Sequence, residues 1–389
     1  MELTLFVDHA CNLRCSYCYT GSKTPRPMSM STAERAIDFA LARDPSGLTL
    51  AFFGGEPTLH IEWLERVRAY ATARLAEANP RATLILRLNT NATLVSDRVA
   101  DFVRSSSVVD AFVSLDGPAA IHDRHRLNVQ GHGSHASVLQ GIERLAKAGA
   151  RVVTLAVISP DTADALGEIL LEAFGLPLAR VHVTCNLRAT WDTVALEALR
   201  RGLARAATHW VDAFRAGRII HFEPLTTKIL SHLHAAMPCA NRCQLGFDEV
   251  VVAPSGRLYT CGELVGEDQD HSLSIGDIEN GIDVSKLSSL REQKNRIEVS
   301  CADCEIRERC SSACGCKHVA LTGTFGAVTQ TLCDTETAFI EAADAVAEAL
   351  YRERCDAFLD FFYRKGWAPS SPQAYVQLRR KDDLKLVPE

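Results

Sequence analysis

Nowhere in this 389-residue chain do about eighteen apolar residues run uninterrupted, which excludes a membrane-spanning helix read from hydropathy. The start, MELTLFVDHAC, has no charged leader region, no export-length apolar stretch and no small-residue cleavage site. We therefore expect a cytoplasmic protein. A basic stripe with interleaved aromatics is also missing, and the net charge of -6 with a pI near 6.1 excludes a dedicated nucleic-acid groove, which would concentrate Lys and Arg. With 47% hydrophobic and 23% charged residues the chain can bury a large core, and its length suits two or three domains.

Cysteine, by contrast, is abundant. Fourteen of them in a chain with no export signal argue for metal or redox chemistry rather than disulfides. Three occur by residue 18, one is Cys185, and nine lie between Cys239 and Cys333. The first three, Cys11, Cys15 and Cys18, form a CxxxCxxC array directly behind the strand-like run Leu3–Val7. Three thiolates on one short loop can hold three irons of a cubane and leave the fourth open for chemistry. A closed zinc site would need a fourth ligand, and the neighbouring His9 has the wrong spacing.

Up to about Leu187, short aliphatic or β-branched runs alternate with amphipathic ones. Strands are expected at Leu3–Val7, Leu48–Phe53, Leu84–Leu88, Ala111–Leu115, Val152–Ile158 and Val181–Leu187. Helices are expected between them, including Ser31–Arg43, where Ser31 and Glu34 fit a capping box, and Ala136–Ala148 before Gly149. Such alternation implies βα units and a parallel sheet, either a barrel that closes fully with eight units or partly with six, or a doubly wound sheet. In each case the loops after the strands carry the site.

Those loops hold Gly54-Gly55-Glu56-Pro57 after strand 2, Asn89-Thr90-Asn91 after strand 3, and Ser114-Leu115-Asp116-Gly117-Pro118 followed by His122, Asp123 and Arg126 after strand 4. Paired glycines let backbone approach a ligand closely, and Glu56 offers an acceptor. His122, His125, His132 and His135 have no thiol or carboxylate close by in a metal-ligand spacing, and we read them as plain loop residues. Cys185 ends the sixth strand and reads as a small buried hydrophobe near the reaction chamber.

CxxxCxxC with Tyr17 just before the third cysteine resembles the signature of the radical S-adenosylmethionine (radical SAM) superfamily. The resemblance implies a partial (β/α)6 barrel of the TIM type, a 4Fe–4S cluster held by Cys11, Cys15 and Cys18, and S-adenosylmethionine bound at the open iron. Gly54, Gly55 and Glu56 resemble the segment that binds the amino group of that cofactor. Asn89 belongs to a segment similar to the family's TNG, with Ala92 where glycine is usual. Ser114, Asp116 and Arg126 fall in a pattern like that of peptide-modifying members, which implies that Ser114 and Arg126 hold the cofactor carboxylate; a guanidinium fork suits that task.

The run from Cys301 to Cys333, CxxCx5CxxxC with flanking cysteines and a GxxxxC unit at Gly256–Cys261, resembles the SPASM domain, the auxiliary-cluster extension of radical SAM enzymes that modify peptides and proteins. By that resemblance Cys239, Cys243, Cys261 and Cys314 hold a first auxiliary 4Fe–4S cluster, and Cys301, Cys304, Cys310 and Cys333 a second, three clusters in all. Cys316 is a surplus thiol that competes for the role of Cys314. CxxC is also zinc grammar, so a pair of structural zinc sites is the other reading.

The expected organisation is a radical SAM barrel over residues 1–191, a helical bridge over 192–235, the SPASM domain over 236–335, and a C-terminal helix (Phe339–Tyr363, containing Cys355) with a tail over 336–389. The implied activity is a maturase that cleaves S-adenosylmethionine to a 5'-deoxyadenosyl radical, abstracts hydrogen from a peptide or protein side chain, and leads to oxidation or cross-linking of a ribosomally made peptide. The alternatives are an anaerobic sulfatase maturase forming formylglycine, and a non-catalytic iron–sulfur electron carrier. In the sulfatase maturases an aspartate directly follows the GxxxxC cysteine, whereas here Gly262 follows Cys261 and Glu263 comes one further on. Glu263 and Cys185 are the catalytic candidates. The implied partners are a peptide or protein substrate, a one-electron donor such as flavodoxin or ferredoxin, and a separate leader-binding protein, since Cys11 is reached with no room for a leader-binding domain; no nucleic acid and no membrane are expected. Substrate, bond formed and oligomeric state are not encoded in any motif.

Overall fold

The computed structural model describes residues 1–106, 109–233, 243, 245–246 and 249–364. Six of its strands are the expected ones, within two residues at most boundaries. They are β1 (Glu2–Phe6), β2 (Leu48–Phe53), β3 (Leu84–Thr90), β4 (Val109–Ser114), β5 (Arg151–Ile158) and β6 (Arg180–Cys185). Near-continuous apolar runs such as Leu48–Phe53 form them because both faces of a parallel sheet are covered. Between them run α1 (Met30–Arg43), α2 (Ile61–Ala78), α3 (Asp97–Arg104), α4 (Ala119–His125), α5 (His135–Lys147) and α6 (Leu166–Ala173).

The first helix starts one residue earlier than expected, and its cap is Ser29, whose hydroxyl accepts from Thr32 N at 3.0 Å. Ser31 lies inside the helix, so the expected Ser31–Glu34 box does not form.

Three further strands join the sheet among the described residues. The stretch expected to be a helical bridge is a seventh βα unit, α7 (Thr193–Arg215), β7 (His221–Glu223) and α8 (Leu225–Leu233), with β7 parallel to β6. On the other side β8 (Glu249–Val252) lies parallel to β1, placing Glu249 opposite Glu2, and β9 (Leu258–Tyr259) is antiparallel to β8. The order is β7-β6-β5-β4-β3-β2-β1-β8-β9. β7 and β9 are its two edges, so the barrel stays open, and the cysteine-rich part of the chain begins as an extension of its sheet.

Beyond the sheet come α9 (Val284–Asn295), α10 (Gly315–Thr322) and α11 (Gln330–Arg352). The last begins nine residues before the expected Phe339, with Thr329 as its cap, so it carries Cys333 and crosses the expected boundary at 335/336. It also ends earlier than expected, because Arg354 turns through φ +54° before a short second helical segment at Asp356–Leu359. One apolar core packs β1–β4, β8 and β9 against α1, α2, α3 and α5; a second packs β5–β7 against α6, α7, α8 and α11.

Candidate functional site

The segment after β1 is shaped by Asp8, which is nearly fully buried. Its Oδ1 accepts from the backbone N–H of His9 (2.6 Å), Ala10 (3.2 Å) and Arg26 (2.5 Å), and its Oδ2 pairs with His60 Nε2 at 2.9 Å. One carboxylate thereby ties both ends of the cysteine loop to the β2–α2 connection. Gly55 N donates to Asp8 O (2.7 Å) and Glu56 N to Ala10 O (2.9 Å). This approach requires glycine, since a Cβ on Gly55 would lie 2.0 Å from the Ala10 carbonyl oxygen.

Cys11, Cys15 and Cys18 line the mouth of a cavity of about 400 Å³ at the C-terminal end of the strands. Leu13 N donates to Cys11 Sγ at 3.4 Å and Lys23 Nζ to Cys18 Sγ at 2.9 Å. Burial raises the Cys11 thiol to about 11 and raises Cys15 as well. Burial opposes ionisation at Cys18 too, but hydrogen bonds from Lys23 and Thr20 bring it below its usual value. The donor set fits a cubane, with three thiols on one rim and N–H groups aimed at sulfur.

The strand ends bring Gly54, Gly55, Asn89, Ser114, Arg126 and Tyr17 to the same cavity. Two side chains are used differently from the expectation. Glu56 is turned inward and nearly fully buried; its Oε1 accepts from Thr58 N (3.0 Å) and from the hydroxyls of Thr58 (2.7 Å) and Thr90 (2.7 Å), and its Oε2 from Asn91 N (2.7 Å). The acceptor expected to face a ligand instead fixes the β3 loop, and only the backbone of this segment faces the cavity.

The Arg126 fork is closed on Asp116, with Nε–Oδ2 at 2.9 Å and Nη2–Oδ1 at 3.0 Å. Tyr17 donates its hydroxyl to the same carboxylate, and Val157 N adds a bond of 2.9 Å. Burial pushes the Asp116 carboxyl up, and Arg126 with these hydrogen bonds more than reverses that, holding it below the usual carboxylate range. Asp116 is therefore a positioning group, and Nη1 is the Arg126 nitrogen that these two bonds leave for a ligand. Ala92 adopts φ +56°, the left-handed region that explains the glycine usual at this position.

Of the four histidines expected on a loop, His122, His125 and His135 sit in helices or at their ends, and His132 lies on the loop between them. His122 lies in α4, accepting from Asp116 N at 3.2 Å and meeting the Ser134 hydroxyl at 3.0 Å, while His135 pairs with Glu172 at 2.8 Å. Burial lowers His122 to about 4. Among the described residues no three His, Cys, Asp or Glu side chains gather tightly enough to hold a single metal ion.

The model of the radical SAM superfamily matches residues 7–173, from the end of β1 through α6. Residues 7–173 are thus a radical SAM superfamily domain. Its cofactors are accordingly a 4Fe–4S cluster and S-adenosylmethionine. A Methanocaldococcus jannaschii protein is 31% identical over 141 residues, 36% of this chain and 47% of the relative, so the chain spans about half its length. The serine-type anaerobic sulfatase-maturating enzyme of Klebsiella aerogenes is 25% identical over 79% of this chain and 78% of that enzyme. The mycofactocin maturase MftC of Mycolicibacterium smegmatis is 27% identical over 80% and 77%. The solved structure of anSMEcpe with bound AdoMet and the Cp18Cys peptide matches with a TM-score of 0.75 at 18% identity, covering 91% of this chain and 100% of that one, a likeness of fold. No helix among the described residues is long and apolar enough to cross a membrane.

Opposite the residues of that domain's cysteine loop stands the far wall of the cavity. It is built by His182, Thr184, Cys185, Asn186 and Arg188 from the end of β6, together with Glu263, Cys314 and Lys317 from the cysteine-rich region. Spacing did not single out His182, Arg188 or Lys317; the alternation of His182 and Thr184 along β6 was the available signal. Burial pushes the Cys185 thiol up to about 12, in keeping with a packed thiol. Glu263 pairs with Arg188 at 3.3 Å, and the Arg188 guanidinium lies 4.9 Å from the centre of the Tyr19 ring.

Four thiols of the cysteine-rich region are in mutual contact. Cys314 meets Cys243 and Cys316, and Cys316 meets Cys261. Cys333 feels the charges of Cys301 and Cys304, while Cys310 faces Lys228 and Glu336. Cys239 lies outside the described residues. The four thiols Cys243, Cys261, Cys314 and Cys316 fit a thiolate-held cluster, and Cys316 is within this set rather than apart from it.

Proposed function

We propose that this chain is a SPASM-type radical SAM maturase that oxidises or cross-links a side chain of a ribosomally made peptide. The observation that carries the reading is that Cys314, one of the thiols proposed to hold an auxiliary cluster, lines the same cavity as Cys11, Cys15 and Cys18. An electron left on the substrate there has a short way out. When bound, the cluster and S-adenosylmethionine supply a one-electron reductive cleavage whose radical product removes a hydrogen atom from the substrate.

The residues of the chain have distinct tasks in this reading. Cys11, Cys15 and Cys18 hold the first cluster, with Leu13 N and Lys23 stabilising the sulfur charge. The backbone of Gly54 and Gly55 takes the amino group of the cofactor, and Asn89, Ser114 and Arg126 Nη1 serve its polar end, with Tyr17 and Asp116 keeping Arg126 in place. Cys243, Cys261 and Cys314, with Cys239 or Cys316, hold one auxiliary cluster; Cys301, Cys304, Cys310 and Cys333 hold the other. The SPASM region then spans residues 236–335. Cysteine usage supports a reducing, cytoplasmic setting, where a flavodoxin or ferredoxin supplies the electron and a separate protein presents the leader.

A second reading, formylglycine formation, is favoured by the sulfatase-maturating relative and by Glu263, a carboxylate on the cavity wall two residues after Cys261. The electron-carrier reading gives no use to the cavity. Anaerobic incubation of reduced, reconstituted protein with S-adenosylmethionine and peptides encoded beside its gene, read by tandem mass spectrometry, separates these. Loss of two hydrogens with a new side-chain link supports cross-linking, and an aldehyde at Ser or Cys supports formylglycine. Replacing Cys11, Cys15 and Cys18 by Ala should abolish 5'-deoxyadenosine release while about eight of roughly twelve irons stay bound. Unchanged release would sink the catalytic assignment.

A further inference from the structure

At the cavity wall three charged side chains meet, two of them shielded from water. Glu336, three residues after Cys333 on α11, accepts through Oε2 from Lys228 Nζ (2.5 Å) and Ser311 N (2.9 Å). Through Oε1 it accepts from Lys317 Nζ (2.9 Å) and from the Ser311 hydroxyl. Lys228 also donates to Arg309 O at 2.6 Å. The side chains of Lys228 and Glu336 are 3% and 6% exposed, and that of Lys317 is 26% exposed, toward the cavity.

Two ammonium groups share one carboxylate, so a surplus positive charge is held there. Arg309, whose carbonyl accepts from Lys228, has its guanidinium matched by Asp344. A surplus charge in a buried place is costly unless something negative faces it. Thiols face it closely: the charge of Lys228 acts on Cys310, and that of Lys317 on Cys314 and Cys185; Lys317 also acts on Glu263, a carboxylate already paired with Arg188. Ser311, gripped at both its N–H and its hydroxyl by Glu336, lies on the short stretch from Cys310 to Cys314, where the chain passes from one proposed cluster to the other.

Resting on the proposed division of cysteines between two auxiliary clusters, we infer that Lys228, Glu336 and Lys317 form a fixed positive charge between those clusters that raises the reduction potential of both. The triad is a set of positioning and tuning residues, of which Lys317 also lines the cavity. Uptake of a single electron by a cluster makes its thiolate-ligated core more negative, and a nearby positive charge favours that form. No proton transfer is needed for the effect.

The test is a dithionite titration of the reconstituted full-length chain, followed by electron paramagnetic resonance of the auxiliary signals, with iron counted per chain. Lys317→Met removes one positive charge and should lower the potential of the nearer cluster by about tenfold in its one-electron reduction equilibrium, about 59 mV. Glu336→Gln removes the negative charge and should move potentials the opposite way. Lys317→Arg should restore the wild-type value. A packing role alone predicts no such opposition of sign. Shifts in the same direction, or none with iron intact, would overturn the inference. Should Glu336→Gln not fold, the contrast between Lys317→Met and Lys317→Arg still decides, because only the first changes charge. Wild-type protein holding about four irons instead of twelve would overturn the two-cluster reading itself, and the inference with it.

Discussion

Gly55→Ala tests whether close backbone contact builds the mouth of the cavity. The added methyl would lie 2.0 Å from the Ala10 carbonyl oxygen, 2.6 Å from its carbon and 2.7 Å from the His9 oxygen. Every one of these atoms is backbone, so no rotamer change relieves the clash. Restoring ordinary contact near 3.4 Å requires Ala10, the residue before Cys11, to retreat by about 1.4 Å. That motion breaks or stretches the bonds Gly55 N to Asp8 O (2.7 Å) and Glu56 N to Ala10 O (2.9 Å). At about 1 kcal/mol for each bond and about 1–3 kcal/mol for overpacking, the loop loses roughly 3–5 kcal/mol. The loss is concentrated beside the cysteines, and a displacement of about 1 Å can cost on the order of a hundredfold in rate. We expect 5'-deoxyadenosine release to fall by about that factor while auxiliary iron is retained. Gly47→Ala is the control, because its methyl would sit 3.6 Å from the Thr83 oxygen, an ordinary contact. Release within about twofold of wild type in Gly55→Ala, on a scale where a hundredfold is expected, would refute the argument.

Four other outcomes follow from the same structure. Asp116→Asn leaves a buried Arg126 without its counter-charge, at a cost of about 3–5 kcal/mol in urea unfolding together with loss of S-adenosylmethionine binding; a variant as stable as wild type would show that the guanidinium finds another partner. Burial and the facing charge of Glu2 raise Glu249 to about 7, against Arg87 and the Thr4 hydroxyl, so the folded state holds a proton that the unfolded state releases above its lower value. Its contribution therefore falls as pH rises from about 4.5 to 7, and Glu249→Gln should raise the melting temperature at pH 8 more than at pH 6; an equal gain at both would contradict this. Stripping iron should expose residues 236–335 to proteases, since metal binding there supplies folding free energy, and resistance equal to that of the loaded protein would exclude it. Comparing iron retained by Cys316→Ala and Cys239→Ala identifies the fourth ligand of the set around Cys314.

The cysteine spacings, the six βα units and the loops that carry the site were legible along the chain because each is a local pattern. A parallel strand buried on both faces writes itself as an apolar run, and CxxxCxxC needs only one loop. β7 and β8 were not legible, being three and four residues long and defined by pairing to β6 and β1. The resemblance implied that Glu56 and Arg126 hold the cofactor; Glu56 is instead committed inside the fold, and Arg126 lines the cavity with two of its nitrogens committed to Asp116.

The residue order by itself determined which thiols share a loop, which turns follow which strands, and where the second block of cysteines lies. Tertiary structure alone decided what surrounds them. Asp8 reaches His60 across 52 positions, and Lys228 reaches Glu336 across 108. A buried charge must find its partner wherever folding delivers one, and that choice depends on packing between distant segments, which no local spacing records.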